Sequence, residues 1–242
     1  MPNLQKKPYC VCEKTDGTRI ALVCATIGGE KISVIVNRAM HITPVKFKTL
    51  PKMAYEGTIL DGEMVQSADG KQYLMVYDAV IVSGIDVKKK NLHDRMHAIK
   101  KFVSGVMKMK TDPFIIKLKK FYPMEKVGDL ISDIKNGEFC YDTDGLVFTP
   151  IQDPIRMGTH ETMFKWKPRE KNTVDFLVKN RSDGTIGLYI QERGDLVFGS
   201  LIMSDNISPE WKIALVDNTI VECKYMEDSW PRWWNPVNIR TD

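Results

Sequence analysis

The sequence predicts an α+β protein of two domains, and three observations carry this prediction. In the first half, apolar and β-branched runs alternate with turn residues, as they do in antiparallel sheets. From Asn91 the apolar spacing takes a helical period, and a second helical stretch begins near Met124. After Pro168 short, evenly spaced strand-like runs suggest a small barrel. We therefore predict one domain over residues 1–172 and a second over residues 173–242.

The individual elements follow from the same patterns. Gly28-Gly29 and Asp69-Gly70 are hairpin signals between predicted strands. The strands of the first half are Ile20–Thr26, Lys31–Val36, Thr58–Val65 and Tyr73–Val82. Helices are predicted over Asn91–Gly105 and Met124–Lys135, and extended segments over Asp144–Thr149 and Thr162–Lys167. The barrel strands are Val174–Val178, Thr185–Gln191, Leu196–Ile202, Ile213–Val216 and Thr219–Tyr225.

The composition narrows the class of protein without naming a function. With 242 residues, 43% hydrophobic and 27% charged, the chain is unlike collagen-like, disordered or coiled-coil proteins. No apolar run approaches the roughly 20 residues that span a bilayer, so we expect a soluble, unsecreted chain with no membrane partner. The five cysteines form no C-x-x-C pair and are predicted to be reduced and mostly buried. A net charge of +4 permits a polyanionic partner.

A lysine at the end of a strand is the sharpest candidate for chemistry. Lys14 ends an apolar strand, an Asp16-Gly17 turn follows, and Arg19 opens the next strand. Burial and neighbouring cations lower the pKa of a lysine, and the neutral amine is a nucleophile that can form a covalent intermediate. Taken alone, this segment is equally compatible with a surface hairpin that carries a lysine and an arginine.

Further motifs place charged residues on or beside apolar strands. In chain order they are Leu60–Glu63, Tyr77-Asp78, Thr143–Phe148 and Phe164–Pro168. Together with K-T-D-G, this order resembles the covalent nucleotidyltransferases, which include ATP-dependent DNA ligases, RNA ligases and mRNA capping guanylyltransferases. The details resemble the capping branch, because T-D-G-L-V-F-T-P and K-W-K-P followed by N-T-V-D-F are that branch's versions. The resemblance runs from Tyr9 to Asp242.

The resemblance implies a fold and an activity. It implies a ligase-type, ATP-grasp-like nucleotidyltransferase domain of antiparallel sheets and helices, a C-terminal OB-fold barrel, and GTP in the cleft between them. The activity would be that of an mRNA guanylyltransferase, which transfers GMP from GTP through a lysine-GMP phosphoramidate to the 5′-diphosphate end of RNA. Two alternatives remain open: an ATP-dependent RNA or DNA ligase that uses the same lysine, and a non-catalytic RNA-binding subunit of this fold.

The resemblance also implies roles for individual residues. Lys14 is the nucleophile, and Asp144, with Glu63 as a second ligand, is the candidate for Mg²⁺ or Mn²⁺. Arg19 and Glu63 would bind the ribose hydroxyls, and guanine would stack on Tyr77. Lys165 and Lys167 would reach the α-phosphate from one strand face, which leaves Trp166 for the core. The remaining nucleotide-binding candidates are Arg38, Arg240 and Asp242; Arg38 is equally compatible with an exposed hairpin arginine.

Two departures from the branch bear on partners and location. The segment before Lys14 is short, and the sequence stops inside the R-x-D-K motif at Arg240–Asp242, so we expect an excised, C-terminally truncated piece of a larger polypeptide. An RNA triphosphatase and a cap methyltransferase would be fused or associated. The expected location is intracellular, in the nucleus or, for a viral protein, at a cytoplasmic replication site or in the virion.

For three groups of residues the sequence is compatible with both a structural and a functional role. His93 and His97 have zinc-binding spacing, but a polar helix face explains them. Trp230, Trp233 and Trp234 could stack on RNA bases or pack the barrel. Lysines concentrate between Lys88 and Lys120, which indicates a solvated face or an RNA or partner contact.

Overall fold

The computed structural model describes residues 6–48, 50–106, 112–156, 158–168, 171–203, 205, 207–226 and 233–240. The chain divides into two compact units, Met1–Trp166 and Lys167–Asp242. This division falls a few residues before the domain boundary predicted at residue 172, which stays a prediction. Within the described ranges, no helix has both the length and the apolar character that crossing a membrane requires.

The first unit consists of short and long strands with two α-helices. The strands are β1 (Tyr9–Thr15), β2 (Thr18–Ile27), β3 (Glu30–Asn37), β4 (Ile42–Pro44), β5 (Thr58–Gln66), β6 (Gln72–Val82), β7 (Ile85–Asp86), β8 (Ile115–Leu118), β9 (Tyr122–Pro123), β10 (Thr143–Pro150) and β11 (Phe164–Trp166). The helices are α1 (Leu92–Ser104) and α2 (Val127–Lys135), with 3₁₀ turns at Lys52–Glu56 and Met124–Lys126. The strands and helices predicted from hydrophobic periodicity in this half are therefore confirmed.

These strands form two sheets. The larger sheet has the order β4-β3-β2-β5-β6-β7, and β8 joins it by pairing in parallel with β6. The smaller sheet has the order β11-β10-β1-β9. Helix α1 packs on the larger sheet through Ile99 and Phe102. Helix α2 packs on the smaller sheet, where Leu130 joins a buried cluster with Val11 and Tyr122.

Helix α1 begins and ends where its sequence signals predict. The Asn91 side chain accepts a hydrogen bond from the Asp94 backbone N–H at 2.9 Å, which satisfies one of the free donors of the first turn. Gly105 occupies the C-cap, and its N–H donates to the carbonyl of Phe102. The start of α1 also contacts the segment after β10, since the Leu92 N–H donates to the Ile151 carbonyl at 2.8 Å.

The second unit is an antiparallel sheet with one short helix. Its elements are β12 (Thr173–Asn180), β13 (Ile186–Glu192), β14 (Asp195–Ile202), α3 (Pro209–Ala214), β15 (Ile220–Met226) and β16 (Trp233–Arg240). The strand order is β14-β13-β12-β15-β16. The pairings found among the described residues do not include one that would close this sheet into a barrel. The core contains Phe176, Leu188 and Val221, and Trp233 and Trp234 pack against it; Trp230 lies outside the described residues.

One prediction for this unit is wrong, and one strand was missed. The segment Ile213–Val216, predicted as a strand, lies at the end of helix α3 and in the turn after it. The reason is local: Pro209 occupies the first helical turn, where its missing N–H costs nothing, and Glu210 complements the helix dipole. Strand β16 was not predicted. It contains Pro236, which a strand tolerates at a sheet edge, and β16 is an edge strand.

Candidate active site

Lys14 lies near the end of β1 and is held by a carboxylate. Its Nζ donates to both carboxylate oxygens of Asp144, at 2.7 Å and 2.8 Å. Both side chains are largely removed from solvent, with 19% and 10% of their areas exposed. The sequence-predicted nucleophile and the sequence-predicted metal ligand therefore form one bidentate ion pair.

The backbone around this pair explains how the two residues meet. Lys14 pairs with Gly145 and Thr15 with Thr143, so the register of β1 and β10 shifts between Lys14 and Thr15. Asp144 lies opposite this irregularity. Gly145 has φ 147°, a conformation that favours glycine over residues with a Cβ. The D-G dipeptide of this motif is thus required by the bulge that directs Asp144 towards Lys14.

The turn after Lys14 also needs its glycine. A Cβ on Gly17 would lie 2.4 Å from the carbonyl oxygen of Met64 and 2.7 Å from Val65 Cγ1. The turn therefore passes directly over β5, the strand that carries Glu63. Asp16 is exposed, and its backbone N–H donates to the Asp142 carbonyl at 2.9 Å, in agreement with its predicted turn role.

Glu63 shares the electrostatic environment of the Lys14–Asp144 pair. Burial raises the pKa of Glu63, while the positive charges of Lys119, Lys14 and Lys165 oppose that rise. Within the described part of the chain, no group of three or more His, Cys, Asp or Glu side chains is placed to hold a metal ion. Asp144 and Glu63 are hard oxygen donors of the type that Mg²⁺ and Mn²⁺ prefer, and such ions take further ligands from phosphates and water. The residues present fit a divalent cation that shares its coordination with a substrate.

Arg19 and Tyr77 converge on a carboxylate that sequence reasoning did not select. Arg19 Nε and Nη2 donate to Asp61 Oδ1 and Oδ2, at 3.0 Å and 2.6 Å, and the Tyr77 hydroxyl donates to Asp61 Oδ1 at 2.9 Å. Burial is the main cause that raises the pKa of Tyr77, so its hydroxyl stays a neutral donor. Arg19 lies opposite Glu63 in the β2–β5 register. Two predicted ribose partners and the predicted stacking residue are therefore neighbours on the larger sheet.

A buried arginine fixes the strand that carries Tyr77. Arg95 on α1 donates to both carboxylate oxygens of Asp78, at 2.7 Å and 3.0 Å, and to the Asp153 carbonyl at 3.0 Å. Only 3% of the Arg95 side chain is exposed. Sequence reasoning missed Arg95. The usable signal is its position in the helix, because Arg95 is in phase with the apolar residues Leu92 and Ile99.

The other face of β1 carries a second ion pair that the sequence did not predict. Lys119 lies 3.5 Å from Glu13 Oε1, and its Nζ donates to the Thr15 hydroxyl. Tyr141 donates to Glu13 Oε1 at 2.9 Å. The exposed fractions of Lys119 and Glu13 are 3% and 1%, and burial raises the pKa of Glu13. The sequence placed Lys119 in a run of solvated lysines, and nothing in the local pattern separates it from its neighbours.

The K-W-K segment lies at the edge of the smaller sheet. Lys165 is exposed on β11, and Lys167 follows the strand and begins the second unit. The expectation that Trp166 packs into the core is wrong, because 42% of this residue is exposed. Trp166 is the last residue of β11, a three-residue strand at one edge of the four-stranded sheet, so it lies at the margin of the sheet rather than in its centre.

The remaining predicted residues lie elsewhere. Arg38 is exposed in the turn between β3 and β4. In the second unit, Arg240 Nε lies 3.2 Å from Asp175 Oδ1, and Nη2 lies 3.3 Å from Glu222 Oε2. Asp242 lies outside the described residues. His93 and His97 are exposed on α1, as a polar helix face requires.

A family profile settles the ancestry of this site. The family described as mRNA capping enzyme, catalytic domain, matches residues 1–169, which include Lys14, Glu63, Asp144 and Lys165. The chain belongs to this family.

Individual proteins with similar sequences are also named as capping enzymes. The chain is 28% identical over 243 residues to the mRNA-capping enzyme of Mus musculus, an alignment that covers 94% of this chain and 40% of the mouse protein. It is 29% identical over 199 residues to the mRNA-capping enzyme subunit alpha of Schizosaccharomyces pombe, covering 73% of this chain and 49% of that subunit. The chain thus spans less than half the length of these capping enzymes.

Solved structures show that the fold is shared more widely. A mycobacterial DNA ligase D complexed with ATP and MES superposes with a TM-score of 0.58 at 14% identity, and the match covers 97% of this chain and 90% of the ligase chain. At this identity the similarity concerns the fold alone. The capping family member and the ligase therefore have the nucleotidyltransferase architecture of antiparallel sheets in common.

Proposed function

We propose that this chain is an mRNA guanylyltransferase. The observation that carries the proposal is the placement of Lys14: its Nζ lies 2.7 Å and 2.8 Å from the Asp144 oxygens, in an environment shared with Glu63 and Lys165. A primary amine held this way at a partly buried site is suited to covalent catalysis once it has lost its proton. Membership of the capping family supports the same conclusion.

In the first step, the neutral amine of Lys14 attacks the α-phosphorus of GTP. The N–P bond forms, the P–O bond to the β-phosphate breaks, and pyrophosphate leaves. In the second step, the terminal oxygen of a 5′-diphosphate RNA attacks the same phosphorus, the P–N bond breaks, and the amine is regenerated. Lys165 and Lys167 stabilise the oxygen charge of the transferred group, since phosphoryl transfer depends mainly on positioning and charge neutralisation.

The other residues bind and orient the nucleotide. Arg19 and Glu63 meet the ribose hydroxyls, and the half-buried ring of Tyr77 provides a surface for guanine. A Mg²⁺ or Mn²⁺ ion held by Asp144 and Glu63 would neutralise phosphate charge and compete with the Lys14 ammonium for Asp144. Arg38 is assigned to the phosphates. Arg240 and Asp242 are assigned to the leaving pyrophosphate, and the second unit is proposed as the OB-fold domain.

The test is covalent labelling with a choice of nucleotide. The chain is incubated with α-labelled GTP or ATP and Mg²⁺ or Mn²⁺, denatured, and examined for label on the protein. We expect an acid-labile adduct with GTP that Lys14→Ala abolishes. Label from ATP alone would instead support a polynucleotide ligase, and label from neither, in a folded chain that still binds RNA, would support a non-catalytic RNA-binding subunit.

Partners and location follow from the same proposal. An enzyme that needs 5′-diphosphate RNA requires an RNA triphosphatase to produce that end, and its product is the substrate of a cap methyltransferase. The relatives named as subunit alpha are, by that name, parts of larger enzymes. We place this activity in the nucleus or wherever the RNA substrate is transcribed.

A further inference from the structure

A basic groove lies on the first unit, between helix α1, the start of β1 and the segment around β9. Its volume is about 800 Å³. Among the described residues that line it, Glu125 is the one acidic side chain. The basic and imidazole side chains that line it are Lys7, His93, His97, Lys100, Lys119 and Lys120. Lys7 is paired with Asp153 and Lys119 with Glu13, so the lysines that would attract a ligand are Lys100 and Lys120, which are exposed. A concave surface that presents such lysines attracts a polyanion.

The geometry of α1 explains how these side chains come together. His93, His97 and Lys100 are spaced by four and three residues, so they lie on one exposed face of the helix. Ile99 and Phe102 face the core instead. The sequence did not distinguish among the lysines between residues 88 and 120. In the structure, Lys100, Lys119 and Lys120 line the groove.

The floor of the groove is apolar. It contains Met96, Leu118 and Phe121, which are partly buried. The Lys120 ammonium lies 4.2 Å from the ring centroid of Tyr122, a cation–π distance. Cationic side chains that track a backbone, combined with apolar and aromatic surface for bases, are the two components of single-strand nucleic-acid sites.

The groove lies at the opposite end of β1 from the nucleophile. Cys10 lines the groove, and because strand side chains alternate, Cys10, Cys12 and Lys14 share one face of β1. Four residues of strand separate Cys10 from Lys14, which corresponds to about 13 Å. Cys10 and Cys12 are buried, so an RNA chain whose 5′ end is at Lys14 would follow the surface of the unit to the groove, along a path of at least this length.

We propose that this groove binds the phosphate backbone of the RNA nucleotides that follow the 5′-diphosphate acceptor end. The proposal rests on the proposed guanylyltransferase function, since that function brings an RNA end to Lys14. It assigns to Lys100 and Lys120 contacts that the first step does not use. GTP charging of Lys14 is consequently independent of the groove, whereas GMP transfer to a long RNA depends on it.

The experiment compares two variants with the same change of charge. The groove variant is Lys100→Glu/Lys120→Glu, and the control is Lys52→Glu/Lys135→Glu, whose lysines are exposed outside the groove. Thermal melts establish that both are folded. Three quantities are measured: the rate of adduct formation with GTP, the single-turnover rate of GMP transfer to a 5′-diphosphate RNA of about ten nucleotides, and transfer to a 5′-diphosphate dinucleotide that is too short to fill the groove.

We expect the groove variant to form the adduct within about twofold of the wild-type rate and to transfer normally to the dinucleotide. Transfer to the longer RNA should fall at least about tenfold at low salt, with a salt slope reduced by about two, one for each lost phosphate contact. The control variant should transfer at close to the wild-type rate.

Several outcomes would overturn the proposal. Equal losses in the groove and control variants would attribute the effect to net charge. Unchanged transfer to the long RNA would remove RNA from the groove and leave an acidic peptide as its occupant. Loss of adduct formation in the folded groove variant would make the groove part of the GTP site. If the wild-type chain forms no adduct, the proposed function fails, and fluorescence anisotropy with the same labelled RNA still decides whether the groove binds it.

Discussion

The two units differ in what they bury. Among the described residues, the first unit buries Glu13, Arg95, Lys119, Asp144 and Asp153, whereas the buried residues of the second unit are apolar side chains, glycine, proline and a cysteine. Burying a charge costs several kcal/mol before its partner repays part of that cost. In the described part of the chain, buried charged groups are therefore a feature of the first unit.

The largest expected effect is the loss of the lysine-GMP adduct when Lys14 of the first unit is replaced. Lys14→Ala should abolish the lysine-GMP adduct, because no other atom carries GMP in the proposed reaction. Lys14→Arg should abolish it too, since a guanidinium stays protonated and cannot attack phosphorus. The measurement is label retained on denatured protein after incubation with α-labelled GTP. An adduct at wild-type level in either variant would falsify the assignment.

The next effect concerns stability. Lys119→Met leaves the Glu13 carboxylate buried without its cation, and the free energy of unfolding should fall by about 3–5 kcal/mol. The matched change in the second unit, Lys179→Met, removes a more exposed lysine and should change it by less than about 0.5 kcal/mol. Urea unfolding at 25 °C measures both.

A double variant tests whether the lost stability comes from the Glu13–Lys119 ion pair. Adding Glu13→Gln to Lys119→Met removes the uncompensated charge and should restore a large part of the lost stability. If Lys119→Met costs no more than Lys179→Met, the buried charges of the first unit are not a special feature, and the contrast between the units loses its energetic basis.

A smaller effect tests whether the second unit takes part in the reaction. Lys165 belongs to the first unit and Lys167 to the second. Lys165→Ala and Lys167→Ala should each slow adduct formation by roughly 10²-fold, because in the proposed mechanism each stabilises the charge of the transferred phosphoryl group. Rapid-quench labelling gives the rates, and Trp166→Phe, at an exposed position between them, is the control with a normal rate. Wild-type rates in both lysine variants would contradict the assignment.

The smallest effect is one that both units share. Burial raises the pKa of the Cys12 thiol in the first unit and of the Cys223 thiol in the second to about 12. In the unfolded chain such thiols ionise near pH 8.5. A pKa that is raised on folding gives stability that is complete below the unfolded pKa and is lost as the pH rises towards the folded one.

Each of these thiols should therefore reduce the free energy of unfolding by about 1.4 kcal/mol between pH 7.5 and 9.5. Urea unfolding of the wild type, Cys12→Ala and Cys223→Ala at these two pH values checks this. Each variant should lose correspondingly less stability than the wild type over the interval. A variant with the wild-type pH dependence would show that its thiol is exposed to ionisation in the folded state.

Sequence reasoning succeeded where the signal is local. The caps Asn91 and Gly105 fix α1, and the hairpin glycines at residues 28, 29 and 70 fix the strand ends. The placement of Lys14 and Asp144 in one site is the exception, because these residues are 130 positions apart and only the resemblance of their motifs to the covalent nucleotidyltransferases indicated it. Periodicity and turn chemistry depend on neighbours in the chain, so a single sequence contains them.

It failed where a contact depends on distant segments. Lys119 is buried only because β8 pairs in parallel with β6, an arrangement that short apolar runs do not indicate. Trp166 is exposed at the end of a short edge strand, and neither the length nor the position of that strand is visible in the sequence pattern. Asp61 belongs to the Leu60–Glu63 motif, but the motif does not indicate that its carboxylate accepts hydrogen bonds from Arg19.

The pairing of β1 with β10 has a consequence for synthesis of the chain. Lys14 and Asp144 are 130 residues apart in sequence, and β1 is paired mainly through β10. At about 5–20 residues per second, a ribosome needs on the order of ten seconds between producing these two positions. During that interval the β1 segment, with Val11 and the thiols of Cys10 and Cys12, has no β10 to cover it. The Lys14–Asp144 site can therefore assemble only after the β10 segment has been made, and until then the apolar residues and thiols of β1 are free to make other contacts.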